Sequence, residues 1–187
     1  QQVTPWQQLS LYITGQTPRG AVLLEKLAPA EHTDTALLDI AEQLQQPVTL
    51  ATDLFGELTL DRSLDLYEGT VTWCDKEISL TLDDGDMPES ALATATALCS
   101  QQQHWQQQAI NCAIADLLPL KNDNWLEENQ QPLSAEEFAS KLTLKSIVCY
   151  DDNGFTFYFS DGELFFGHCI MVNGDLSEGI TDASIAG

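Results

Sequence analysis

Apolar positions are densest in Leu164-Phe165-Phe166-Gly167-His168-Cys169-Ile170-Met171-Val172. Both faces of its alternation are apolar, with Leu164, Phe166, Ile170 and Val172 on one side and Phe165, Cys169 and Met171 on the other. A run of that kind predicts a strand covered on both sides, the spine of a sheet. His168 falls within the first face.

Upstream, Leu9, Leu11 and Ile13 alternate like a short strand, Gly15 to Gly20 reads as a loop, and Ala21 to Leu27 is an apolar run. Leu37, Ala41 and Leu44 then recur at helical spacing from a cap at Thr33 or Asp34 until Pro47 stops the helix. The main unit opens at Val48. Phe55 to Leu60, Thr70 to Cys74 and Glu77 to Leu82 alternate as three antiparallel strands, with Asp75-Lys76 closing the last pair. Val71 and Trp73 share one face, as do Ile78, Leu80 and Leu82. Asp83-Asp84-Gly85-Asp86 breaks the sheet, and Pro88 suits the first turn of a helix.

Leu92, Ala95 and Cys99, then Trp105, Ala109, Cys112 and Ala113, form a broad helical stripe, which predicts deep packing on a sheet. Ser100 to His104 is either a break between two helices or a solvated stretch. The glutamines around His104 and Trp105 read as uncharged helix surface, and Pro119 is expected to end the helix. Ser134 and Glu137 form a capping box with Leu133 placed to staple onto Phe138, so a short helix runs to about Leu142. Leu144 to Tyr150, Phe155 to Phe159 and Leu164 to Val172 make a meander through Asn153-Gly154 and Asp161-Gly162 turns. Asn173-Gly174 ends the central run, and Gly179 to Ile185 returns as a last strand. Strands, helices, strands is an α+β order: a largely antiparallel sheet with helices packed on one face. The domains predicted are residues 1–47, an amino-terminal extension or small subdomain, and residues 48–187, the α+β domain.

Charge changes the picture most. The chain has 29 acidic and 7 basic residues, a net charge of -22. Up to residue 120 there are 17 acids and 4 bases, and after it 12 and 3, so the acidity belongs to the whole surface. Such a field repels nucleic-acid phosphates and anionic lipid and favours a basic partner. There is no apolar run of about 18 residues to span a membrane. Cys74, Cys99, Cys112, Cys149 and Cys169 are widely spaced without a CxxC pair, which indicates neither a zinc site nor a disulfide framework and suits a reducing, cytoplasmic location.

The chemistry on offer is thin. His168 and Cys169 are adjacent in a predicted strand and point to opposite faces, so they do not form a pair. Asp151, Asp152, Asp161 and Glu163 fall on hairpin ends and, with His168, compose a candidate metal-assisted hydrolase site. No His-x-His or His-Glu-x-x-His spacing accompanies them. Asp83 opens like a calcium loop, but its twelfth position is Thr94 where a glutamate is needed. No cofactor is expected.

The segments Phe55-Gly56-Glu57-Leu58, Leu60-Asp61, Tyr67-Glu68-Gly69 and Val71-Thr72-Trp73, followed by Asn124-Trp125, the Ser134 to Leu142 helix, Gly167-His168 and the closing Ala183-Ser184-Ile185-Ala186-Gly187, resemble the bacterial family catalogued as domain of unknown function 2262. The resemblance covers about residues 48 to 187. It implies a domain boundary and no activity. Small acidic domains of this sort are similar to immunity proteins found beside bacterial toxins. The expected function is a non-enzymatic protein-interaction module, an immunity protein for a basic toxin, with the hydrolase as the alternative. The binding residues expected are Asp83, Asp84, Asp86, Trp125, Glu127, Glu128, Asp151, Asp152, Asp161 and Glu163. Trp125 reads either as an exposed anchor or as a plug of the core, and Trp73 as core.

Overall fold

The structure, a computed structural model, describes residues 9–16, 22–29, 34–83 and 88–187. The chain divides into two compact units, residues 1–47 and 48–187. In the first, β1 (Leu9–Gln16) pairs antiparallel with β2 (Val22–Pro29), and α1 (Thr35–Gln45) follows. Asp34 caps that helix by accepting the amides of Ala36 at 2.9 Å and Leu37 at 3.3 Å, two donors that the helix itself leaves without partners.

The second unit is built on one eight-stranded sheet. β3 (Thr49–Thr52), β4 (Gly56–Asp61), β5 (Leu66–Trp73) and β6 (Lys76–Asp83) form an antiparallel meander. Three helices follow: α2 (Glu89–Cys99), α3 (Gln102–Asn124) and α4 (Ala135–Lys141). A second meander closes the chain with β7 (Thr143–Tyr150), β8 (Gly154–Ser160), β9 (Cys169–Asp175) and β10 (Gly179–Ala186). The order across the sheet is β10-β9-β8-β7-β6-β5-β4-β3, and the two meanders meet at the parallel pair β6 and β7. Parallel neighbours need a crossover, which the helices supply. The fold is α+β with a mostly antiparallel sheet.

The core follows from period-two alternation. Val71 and Trp73, Ile78, Leu80 and Leu82, Phe155, Phe157 and Phe159, and Ile170 and Val172 are all buried. The helices meet this face with small residues, Ala91, Ala95, Ala109 and Ala113, so their backbones sit close to it. Trp105 packs edge-on against Phe155 at 5.2 Å. The glutamines of α3 are not merely surface. Gln106 accepts the Trp73 indole N–H at 2.9 Å, and Gln102 accepts the Cys74 amide at 2.8 Å, which ties the start of α3 to the β5–β6 turn. That turn lies one residue earlier than predicted, at Cys74 and Asp75, both with positive φ as a two-residue hairpin requires.

Other expectations are corrected. Leu164 to Val172 is not one strand: β9 starts at Cys169, residues 162–167 are turns, and β9 lies second from the sheet edge. The most enclosed strand is β8, in which Phe155, Thr156, Phe157 and Phe159 are buried. Asn173-Gly174 does not end a strand, since both residues lie inside β9. A Cβ on Gly174 would stand 2.6 Å from the Phe155 ring across the sheet, so glycine is there to admit the ring. Pro119 does not end α3, which continues to Asn124. Leu117 and Lys121 on the turns around it are buried, and their packing outweighs the amide that proline removes. Pro88 stands at the N-cap of α2 instead of inside its first turn.

Candidate functional site

The loop between β8 and β9 is organised by one carboxylate. Asp161 is 3 % exposed, and its Oδ2 accepts the amides of Phe165 at 2.7 Å and Gly167 at 3.2 Å while Oδ1 accepts that of Glu163 at 3.2 Å. Folding the chain around one side chain demands left-handed backbone at Gly162, Glu163, Phe166 and Gly167, with φ of 55°, 67°, 57° and 83°. Gly162 has a second reason to be glycine, because a Cβ would lie 2.6 Å from the Lys141 carbonyl oxygen. The loop sends Leu164 and Phe165 into the core and leaves Phe166 in solvent, 59 % exposed.

His168 follows. Its amide donates to the Phe165 carbonyl at 3.3 Å, and Nδ1 bonds to the same oxygen. A carbonyl only accepts, so Nδ1 is the donor in this bond, and Nε2 is the ring nitrogen it does not use. The half-buried ring stands edge-on to Trp125 at 5.8 Å.

Trp125 is placed by the end of α3. Its amide donates to the Lys121 carbonyl at 3.0 Å, and the Lys121 ammonium donates to the Trp125 carbonyl at 2.6 Å and to Gln130 Oε1 at 3.4 Å. Lys121 is 2 % exposed, a cation held by neutral oxygens beside the negative end of a helix dipole. The Trp125 ring reaches inward to Phe165 at 5.4 Å and outward to Phe166 at 5.5 Å. It therefore joins the two roles the sequence left open, core plug and surface aromatic.

Between the loop and β7 lies a cleft of about 390 Å³, lined by Lys145, Ser160, Asp161, Glu163, His168 and Cys169 among others. Burial, reinforced by the Asp161 charge, raises the Cys169 thiol above its ordinary range, and its Sγ donates to the Phe159 carbonyl at 3.5 Å. The thiols of Cys74, Cys99, Cys112 and Cys149 are raised as well, burial leading in each case, so these side chains are not thiolate nucleophiles at neutral pH.

The structure divides the predicted acidic residues between two ends of the sheet. Asp83 is opposite Tyr150 in the parallel register, which brings it to the same end as the exposed Asp151 and Asp152. Asp152 accepts the Gly154 amide at 3.0 Å, a turn role. Asp84 and Asp86 lie outside the described residues. Asp161, Glu163 and His168 sit at the far end of β8, about 20 Å away for a seven-residue strand. Trp125 brings the exposed Glu127 and Glu128 to that second end. The four carboxylates grouped with His168 on sequence grounds are therefore two separate pairs. Among the described residues no set of three or more His, Cys, Asp or Glu is arranged to hold a metal ion.

Three residues escaped sequence reasoning. Phe166 was read as part of a strand, although Gly167 beside it and Asp161-Gly162 before it are turn signals. Lys121 continues the apolar spacing of Ile114, Leu117 and Leu118, a signal for a buried cation. Lys145 reaches the cleft across a β-bulge between Leu144 and Ser146, which nothing in the sequence marks.

The sheet, its helical cover and this carboxylate-built loop define a small acidic α+β domain. Residues 52–185 match the model of a family described as "Uncharacterized protein conserved in bacteria (DUF2262)", and the chain belongs to that family. No curated protein and no solved structure matches it. None of the described helices is long and apolar enough to cross a membrane.

Proposed function

We propose that the chain is a non-enzymatic protein-interaction module acting in the bacterial cytoplasm, where it binds and neutralises a basic toxin as an immunity protein. The observation that carries this reading is the surface charge. The net charge is -22, and of the basic residues after position 47, Arg62, Lys76, Lys141 and Lys145 are exposed while Lys121 is withdrawn into the core. A field of this sign speeds encounter with cationic surfaces. Enzymes that act on nucleic acids need such surfaces, and an acidic inhibitor can occupy one in place of phosphate. The cleft supports the same reading, since its thiol is held protonated and its buried carboxylate is taken up by backbone amides.

The test is capture from the native host at low salt, followed by titration of the purified retained protein at low and high ionic strength and assay of its activity. Binding that weakens by about tenfold or more with salt, together with loss of the partner's activity at stoichiometric amounts, is expected. Salt-independent binding, or a partner whose activity is untouched, overturns the reading.

A second reading is a metal-assisted hydrolase using His168 and neighbouring carboxylates. The bond from His168 Nδ1 to the Phe165 carbonyl favours it, because a ring oriented through Nδ1 leaves Nε2 as the nitrogen to meet a substrate or a metal. Hydrolysis that requires an added divalent metal and is lost in His168→Ala would establish it.

A further inference from the structure

Phe166 combines two features that seldom coincide. Its backbone is left-handed, at φ 57°, and its ring is 59 % exposed. A large side chain in that region is strained and persists where the surroundings over-determine it. What determines it here is Asp161, whose single Oδ2 holds the amides on both sides, those of Phe165 and Gly167. Core burial does not call for a ring at this position, because Leu164 and Phe165 supply the loop's contribution to the core, and the ring contact of Phe166 is with the half-buried Trp125. The strained backbone thus presents an aromatic group to solvent.

That group is part of a platform. The Phe166 ring lies 5.5 Å from Trp125 at an interplanar angle of 44°. Exposed carboxylates flank the two rings in sequence, Glu163 before Phe166, and Glu127 and Glu128 after Trp125. Aromatic faces with exposed carboxylates a few residues away along the chain suit a planar cation that stacks by its face and donates hydrogen bonds by its edge. A guanidinium does both, whereas a compact, strongly hydrated ammonium gains less from stacking.

We propose that Trp125 and Phe166 are the anchor of the partner interface, and that they take an arginine side chain of a basic protein, stacked on the rings and paired with Glu163. This rests on the binding role proposed above and adds where the partner sits and which side chain it offers. The acidic end at Asp83, Asp151 and Asp152 then serves long-range attraction.

The test titrates the full chain with oligo-arginine and oligo-lysine peptides of equal length at low ionic strength. Oligo-arginine is expected to bind about three- to tenfold more tightly, with amide shifts centred on Gly167 and His168. Phe166→Asn keeps a residue that tolerates left-handed backbone and removes the ring. It should abolish the preference while leaving oligo-lysine binding unchanged and the thermal midpoint no lower, since the left-handed strain is relieved. Phe166→Leu, which retains apolar bulk without a π face, should lose the preference too. Equal binding of the two peptides, or a preference that survives both variants, overturns the anchor and leaves the charge reading standing. If neither peptide binds, the charge reading itself fails.

Discussion

Asp161 and Gly167 are joined by a 3.2 Å hydrogen bond from amide to buried carboxylate, and this contact turns a predicted strand into a loop. Asp161→Ala would leave the amides of Phe165 and Gly167 without their charged acceptor. The expected cost is about 3 kcal/mol in urea unfolding, and Asp161→Asn, which keeps one carbonyl oxygen, should lose less. Equal stability of Asp161→Ala and wild type would mean that the loop is held by something else.

Phe157 is fully buried between Trp73 at 5.6 Å and Phe155 at 5.4 Å. Phe157→Ala should destabilise the second unit by about 3–5 kcal/mol, read as a shift of the denaturation midpoint with unchanged slope.

The cysteines give a chemical check. Cys112 is pushed up to about 11 by burial and then by Asp116 and Asp182, and Cys149 is raised and buried. Alkylation near neutral pH, followed by mass spectrometry, should be slower at all five positions than for an unstructured thiol, and slowest at Cys149. One rapidly modified cysteine would contradict this.

Glu137 is held below its ordinary 4.5 by the Ser134 amide and then by its hydroxyl. A depressed folded pKa means that the stabilisation is complete above the ordinary value and disappears as pH falls through the folded one. Asp61 and Asp175 behave alike, each held down first by a serine hydroxyl, Ser63 and Ser177. Stability should therefore fall on acidification below the ordinary carboxylate range, and Ser134→Ala should shift the Glu137 titration upward in side-chain NMR.

Lys121 ties α3 to the carbonyl of Trp125 and to Gln130. Lys121→Met retains the apolar stem and removes the donor. Amide exchange should quicken at Trp125 and Gln130 while the strands are unaffected, because only the loop loses its tether. An exchange pattern unchanged at these two amides would assign the loop's order to the ring contacts alone.

Local chemistry was the most legible part of the sequence. The Ser134 and Glu137 capping box, the Asn153 turn with its positive φ, and the buried Trp73 are readable because nearby residues decide them. The misreadings arise where another interaction overrules the local pattern, whether from a nearby side chain or from tertiary packing. Leu164 to Val172 has strand periodicity, yet Asp161 competes successfully for its amides; Pro119 carries a stop signal, yet tertiary burial overrides it. The platform of Trp125 and Phe166 was half visible, since Trp125 stood out in a polar loop but its partner lay forty-one residues away in an apolar run.

The parallel contact of β6 with β7 governs how the sheet assembles. Within each meander every strand meets its sequence neighbour, so both halves can zip from short turns. Ser79 meets Ser146 only after the whole helical segment has been looped out. That loop is far longer than any turn within the meanders, so its closure costs the most chain entropy of any pairing in the sheet and the seam is expected to form after the two meanders.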